Sequence, residues 1–179
     1  MLQIIVPSAE LYDEKKEEFI YSKEQIIELE HSLISISKWE SKHKKPFLKS
    51  QKTKEETIDY IRCMSLNKTP DSSYYSLTNK NIEDIQNYIN DPMTATIIRK
   101  LPNSKSNVNE IVTSELIYYW MIVSNIPFEC EKWHINRLLT LIKICTVKNS
   151  PNKKMSKNEI IKEYSAINKA RRAQMNSGG

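Results

Sequence analysis

The stretch from Ser114 to Thr146 reads SELIYYWMIVSNIPFECEKWHINRLLTLIKICT and holds the densest run of large apolar side chains in the chain. Nearly every position from Leu116 to Val123 is apolar, which predicts a helix that is buried on more than one face. From Ile135 to Cys145 apolar residues recur at helical spacing, which predicts a second helix with one broad apolar stripe. Pro127 cannot continue the first helix and disfavours helical geometry at Ile126. We therefore predict a central αα-hairpin, hinged before this proline, that nucleates the core.

Length and charge predict one domain with an extension. The chain has 179 residues, enough for one well-formed core and, we expect, no second one. Its net charge is +5, but residues 146–179 carry eight Lys or Arg against two Glu, a net +6 that leaves −1 for the rest. The polar sequence KNSPNKK at 148–154 is the clearest boundary. We predict a single globular domain over residues 1–147 and a basic C-terminal linker and helix over residues 148–179, whose mobility stays open.

The N-terminal segment predicts a small antiparallel sheet. Met1–Val6 is short, rich in β-branched residues and followed by Pro7, and Phe19–Tyr21 has the same character after a charged loop. The economical interpretation is a β-hairpin made of these two segments. A third strand near residues 26–30 and a helix from about Ser32 are expected to follow.

Several helix starts are marked by residues that can cap free amides. The motif TKEE at 53–56 has the form of a capping box and opens a predicted helix to about Met64. A further helix is predicted over 78–90, and SKNE at 156–159 opens a basic helix to about residue 173. The predicted fold class is α+β and predominantly helical. A small N-terminal antiparallel β-hairpin or sheet precedes a helical core with the central αα-hairpin and the basic C-terminal helix.

The chain contains no recognisable catalytic or cofactor motif. Two glycines leave little material for a phosphate-binding loop, and neither a nucleophile elbow nor an HExxH pair occurs. Cys130 and His134 are four residues apart, a spacing that on one helix would suit a metal site or a thiol–imidazole pair. A structural zinc site needs four ligands, usually in two close pairs, and the sequence offers no second pair. We therefore predict packing or partner contact for these two residues, and no enzyme activity, metal or cofactor.

Cysteine usage and hydropathy bear on the cellular compartment. Three widely spaced cysteines beside apolar residues predict reduced, packed thiols, which suits a cytoplasmic protein. The N-terminus has no basic segment followed by an apolar run, and no stretch reaches the ~20 apolar residues that span a bilayer. We predict neither secretion nor membrane insertion.

The basic C-terminal segment has two interpretations. Its Lys and Arg side chains could neutralise the phosphates of a nucleic acid. However, Tyr164 is the only aromatic residue among them and no nucleic-acid motif occurs. The stripe of Ile160, Tyr164 and Ile167 is too thin to hold a helix firmly by itself, so contact with a protein partner is the preferred prediction.

Five segments of the chain resemble one family. The run EIVTSELIYYWMIVSNIPFECEKWHINRLLTLIKIC at 110–145, KKMSKNEII at 153–161 and AINKARRA at 166–173 resemble tail assembly chaperones of long-tailed bacteriophages, small proteins encoded before the tape-measure gene. LEHSLISISKWESKHKKPF at 29–47 and YINDPMTATII at 88–98 resemble the same group. The resemblance touches most of the chain and includes no catalytic signature.

The resemblance implies a protein that coats the tape-measure protein, keeps that long apolar helical chain soluble and leaves as tail tube subunits replace it. It implies action in the host cell cytoplasm and absence from the mature virion. Such proteins are commonly made in a short and a frameshift-extended form, and this chain would be the short form or the common region. The expected partners are the tape-measure protein and the tail tube protein, with homo-oligomer formation left open.

A protein that binds many similar helices needs an adaptable apolar surface. No family motif fixes the binding residues, so we choose the candidates by residue type and position. Two other functions stay open: a structural virion subunit of the tail, baseplate or connector, and a nucleic-acid-binding regulator that uses the basic C-terminal helix. The predicted partner-binding residues are Trp133, His134, Arg137 and Leu138, with Ile160, Tyr164 and Ile167 as a second contact.

Overall fold

The computed structural model describes residues 1–13, 17–96 and 111–149, together with the single positions 161, 164, 165 and 168. The chain divides into two compact units, residues 1–147 and 148–179. The four single positions, all in the second unit, are helical.

Four strands form one interrupted antiparallel ribbon. The β1 strand pairs with β4 and the β2 strand pairs with β3, and the two numbers of each residue pair add up to the same total in both halves, so the register is continuous. The ladder stops at Pro7, which has no amide hydrogen to donate to a neighbouring strand. The strands are β1 (Leu2–Val6), β2 (Ala9–Asp13), β3 (Glu18–Ser22) and β4 (Gln25–Leu29).

The β1–β4 half of the ribbon buries one of its two faces. Ile4 and Val6 on β1 and Ile27 and Leu29 on β4 belong to the core, and the residues between them are exposed or half-buried. This alternation follows from the two-residue period of a strand. The sheet therefore forms one wall of the core.

Helix α1 (Leu33–His43) and helix α2 (Lys54–Met64) pack against each other. The side chain of Ser32 caps α1, and the predicted capping box of Thr53 and Glu56 is present at the start of α2. Trp39 is fully buried in α1, and its indole N–H donates to the carbonyl oxygen of Glu56 at 2.9 Å.

Two further helices pack on the sheet side of the domain. The short helix α3 (Asp71–Tyr75) contacts α2 and β3, and helix α4 (Asn79–Asn90) contacts β1. A second capping box, formed by Thr78 and Asn81, begins α4. Its inward face buries Ile85 and Tyr88.

The apolar stretch at residues 114–146 belongs to three elements. They are helix α5 (Ser114–Val123), a 3-10 helix (Phe128–Lys132) and helix α6 (Ile135–Asn149). Both α5 and the 3-10 helix pack on α1. In the described part of the chain, no helix is both long and apolar enough to cross a lipid bilayer.

The α+β, predominantly helical fold with a small antiparallel sheet is confirmed. The predicted pairing of Met1–Val6 with Phe19–Tyr21 is wrong, because Phe19–Tyr21 pairs with β2 and the third predicted strand is the partner of β1. The hinge before Pro127 is confirmed, since α5 ends at Val123. The second helix begins only at Ile135, because the 3-10 helix lies between.

Candidate protein-binding surface

A buried carboxylate of α1 holds the N-terminus of α5. The two carboxylate oxygens of Glu40 accept the backbone N–H of Ser114, the first residue of α5, and that of Phe47, each at 2.7 Å. The first-turn amides of a helix lack intrahelical partners, so an anion here satisfies a donor and interacts favourably with the helix dipole. Thr113 forms no side-chain capping hydrogen bond, and Glu40 takes over that role from another helix.

Helix α5 buries one side and exposes the other. Ile117 and Met121 have no exposed surface, whereas Tyr119, Ile122 and Val123 are 59%, 58% and 62% exposed. Residues three and four apart lie next to each other on a helix, so these three exposed side chains form one continuous apolar stripe. We call Tyr119, Ile122 and Val123 the α5 outer face.

The prediction that α5 is buried on more than one face agrees with the half-buried Tyr118 and Trp120 beside the buried Ile117 and Met121, but it did not indicate the exposed side. The side of a helix that faces water normally carries polar residues, but beyond the exposed Glu115 of the first turn this side of α5 carries only Tyr119, Ile122 and Val123. A contiguous exposed apolar patch of this kind marks an interaction site more often than a single exposed leucine does. The sequence did contain a sign of this exposed face. A helix that is apolar on every side from Leu116 to Val123 exposes apolar side chains wherever it does not contact the core.

The end of α5 is fixed in position by a Schellman motif. Asn125 has left-handed geometry with φ 52°, and its N–H donates to the carbonyl of Ile122 at 3.1 Å. The N–H of Ile126 donates to the carbonyl of Met121 at 2.9 Å, and the Ile126 side chain is buried. This paired pattern satisfies the last carbonyls of the helix, and asparagine tolerates the left-handed region better than most residues. The chain therefore turns sharply into the 3-10 helix.

The 3-10 helix extends the apolar surface. Phe128 is more than half exposed, and its ring centroid lies 6.4 Å from that of Tyr118, which neighbours Ile122 on α5. The Tyr118 hydroxyl donates to the Glu131 carboxylate at 2.8 Å, and burial together with this bond raises the pKa of Tyr118 above its usual range. The phenol therefore remains a neutral donor that ties α5 to the 3-10 helix.

The residues that the sequence selected for partner binding divide into two groups. Trp133 is half-buried, and the guanidinium of the exposed Arg137 lies 4.2 Å from its ring centroid, a cation–π contact at the surface. His134 and Leu138 are buried, so the prediction that they belong to an exposed face is wrong. Leu138 points into the core because the apolar stripe of α6 faces the core. His134 directly precedes α6 and is buried beside the start of that stripe.

The second predicted contact is described at a single position. Tyr164 is exposed, whereas Ile160 and Ile167 lie outside the described residues. The apolar stripe of these three side chains stays a prediction.

Two buried histidines organise the start of α6. His31 and His134 meet edge to face with ring centroids 5.0 Å apart, and the carbonyl of His31 accepts the N–H of Ile135 at 2.8 Å. His31 Nδ1 also bonds the Tyr60 hydroxyl, and His134 Nε2 bonds the Tyr88 carbonyl at 3.0 Å. Burial, with the nearby His134 as a further cause, lowers the pKa of His31 to about 3, and burial also lowers the pKa of His134. Both imidazoles are therefore neutral structural groups at neutral pH.

A third histidine belongs to an ion-pair cluster between α1 and α2. His43 Nε2 lies 2.8 Å from Asp59, and Nδ1 lies 3.8 Å from Glu56. Lys42 pairs with Asp59 and Lys45 with Glu56 beside a cleft of about 210 Å³. The Asp59 carboxylate holds Nε2 by a hydrogen bond, whereas Glu56 lies beyond hydrogen-bond distance of Nδ1. The cluster links the C-terminal end of α1 to α2.

Cys130 and His134 lie on different elements, since Cys130 belongs to the 3-10 helix and His134 precedes α6. Burial raises the pKa of the Cys130 thiol, which disfavours the thiolate that a nucleophile or a metal ligand requires. Within residues 1–13, 17–96, 111–149 and the four single positions, no three His, Cys, Asp or Glu side chains converge to hold a metal ion.

Comparison of the chain with protein-family models, with curated proteins and with solved structures finds no match.

Proposed function

We propose that this chain is a tail assembly chaperone of a long-tailed bacteriophage that binds apolar helical segments of the tape-measure protein through the α5 outer face. It keeps those segments soluble in the host cytoplasm, helps recruit tail tube subunits, and departs before the virion is complete. The sequence resemblance supports this family. The observation that carries the proposal is the exposed stripe of Tyr119, Ile122 and Val123 on a helix whose two ends are fixed.

The chemistry of the surface suits an amphipathic helix as its ligand. A partner helix that places apolar side chains at i, i+3 and i+4 can lie along a matching stripe and exclude water from both. The hydrophobic contact is non-directional, so one surface can accept many segments of similar pattern. A long helical partner with repeated apolar stripes therefore offers many alternative binding segments. The role requires no covalent step.

The fixed ends of α5 serve the same function. Glu40 at one end and the Schellman motif at the other hold the helix without help from its outer face. A surface that is already ordered loses little conformational entropy when it binds. The apolar stripe is therefore available to a partner without being needed for folding.

Co-expression with a tape-measure fragment tests the proposal. We expect the fragment to become soluble and to co-purify with the chain. In the Ile122→Glu variant, a charge replaces one of the central apolar contacts, and the dissociation constant should rise by roughly 10- to 30-fold. The affinity can be measured by titration of the labelled fragment.

Leu66→Glu is the matched control, because Leu66 is exposed to the same degree as Ile122 but follows α2. It should bind the fragment as the unaltered chain does. Equal binding by the Ile122→Glu variant, with both variants folded, contradicts the assignment of the surface. A fragment that stays insoluble and does not co-purify contradicts the function itself.

A further inference from the structure

The outer half of the ribbon, β2 with β3, has an exposed aromatic face. Tyr12, Phe19 and Tyr21 are each more than half exposed, and the rings of Tyr12 and Phe19 lie 5.1 Å apart across the two strands. The opposite face carries Leu11 and Ile20, which are half-buried. A two-stranded ribbon is marginally stable alone, and exposed aromatic patches mark interaction sites.

The two halves of the ribbon differ at their edges. Beside the β1–β4 half, the Asn81 side chain donates to the carbonyl of Ile5 at 3.1 Å and the Asn67 side chain donates to that of Ile26 at 2.8 Å. The backbone N–H of Leu66 also donates to the carbonyl of Glu28 at 2.9 Å. Among the residues that the structure describes, β2 has no hydrogen bond to any element except β3. A strand edge of this kind is a template for pairing with another chain.

We propose that β2 pairs antiparallel with β2 of a second copy of this chain and forms a four-stranded sheet across a two-fold axis at Leu11. Such an axis places Leu11 opposite its own copy, Glu10 opposite Tyr12 and Ala9 opposite Asp13, so all five residues of the strand are paired. The Tyr12 hydroxyl then lies on the same face as the Glu10 carboxylate of the other copy and can donate to it. An axis at Glu10 would set two carboxylates against each other.

The size of the contact sets the expected strength. Two five-residue edges bury less than the about 1,200–2,000 Å² of a standard stable interface. We therefore expect a weak dimer whose population rises with protein concentration. This contact uses no residue of the α5 outer face, so dimer formation and partner binding can be measured separately.

Directed disulfide formation tests the pairing and its register. Residues that face each other across an antiparallel pair have Cβ atoms about 4.5–5.5 Å apart, close to the reach of a disulfide. In the Leu11→Cys variant the two new thiols oppose each other on the axis, and mild oxidation should convert most of the protein to a covalent dimer. Ala9→Cys is the matched control on the same face of β2, and its thiol opposes Asp13, so it should form about fivefold less dimer. The unaltered chain gives the background from its three native cysteines.

Sedimentation equilibrium gives a second readout that needs no oxidation. Leu11→Lys sets two like charges against each other on the axis, and the dimer dissociation constant should rise at least about tenfold. Equal disulfide yields at positions 9 and 11, or a monomer at all concentrations up to about 1 mM, overturn the proposal. A mixed sheet with an extended peptide, while the chain alone stays monomeric, overturns the choice of a second copy as the occupant.

Discussion

The Glu40→Ala variant should unfold with a free energy lower by about 3 kcal/mol. The substitution removes the acceptor of two buried amides, those of Phe47 and Ser114, and leaves both without this hydrogen bond. It also removes the anion from the N-terminus of α5. For a unit of this size the melting temperature should fall by about 10 °C. Urea unfolding followed by circular dichroism measures the change.

Glu55→Ala is the control for this experiment. Glu55 is an exposed carboxylate on α2, and its loss should change the free energy of unfolding by less than about 0.5 kcal/mol. Glu40→Gln should lie between the two, because one amide oxygen can replace only one of the two carboxylate oxygens as an acceptor. A Glu40→Ala variant as stable as the Glu55→Ala variant would refute the capping role.

Acidification from pH 7 to pH 5 should lower the free energy of unfolding by about 2 kcal/mol, chiefly because of His31. Burial holds the pKa of His31 at about 3 in the folded chain, below the unfolded value of 6.5. The unfolded state therefore binds the proton first as the pH falls. Stability is fully present above pH 6.5 and is lost progressively down to about pH 3. The lowered pKa of His134 acts in the same direction.

The ion-paired Asp59 loses its contribution to stability in a different pH range. Hydrogen bonds and nearby cations lower the pKa of Asp59 despite its burial, so the stability that it contributes is lost only below the pKa of an unfolded aspartate, near 4. The decrease between pH 7 and pH 5 therefore reports on the buried histidines. Replacement of His31 by Asn should flatten this pH dependence even where it lowers stability overall. His43→Gln leaves the buried pair intact and should retain the decrease. An equal free energy of unfolding of the unaltered chain at pH 5 and pH 7 would contradict the role of the buried histidines.

Local sequence patterns predicted the helices and strands better than they predicted which of these elements contact each other. The capping box at Thr53 and Glu56 and the break before Pro127 depend on residues close in sequence, and both are present. The pairing of β1 with β4 depends on which extended segments meet, and hydropathy alone does not encode that choice. Long-range polar contacts have the same limit, since Glu40 and Ser114 are 74 positions apart.

The candidate binding residues chosen from the sequence lie in the same stretch as the α5 outer face, and two of the four are buried. Trp133 and Arg137 lie at the surface, whereas His134 and Leu138 are buried. The exposed residues Tyr119, Ile122 and Val123 were not among the candidates, because the apolar run that contains them predicts a helix buried on more than one face. Apolar character shows that a side chain gains from burial, but it does not tell whether its own fold or a partner provides that burial.

Hydroxyl-radical footprinting of the tyrosines tests most directly whether a partner covers the α5 outer face. Two samples are oxidised, the chain alone and the chain saturated with the tape-measure fragment. Peptide mass spectrometry then gives the oxidation rate of each tyrosine. Tyr75 is as exposed as Tyr119 but lies on α3, so it is an internal control. We predict that oxidation of Tyr119 slows by about threefold or more in the complex, since residues in the core of an interface are shielded from water, while Tyr75 is unchanged. An unchanged rate at Tyr119 in a saturated complex would contradict the account.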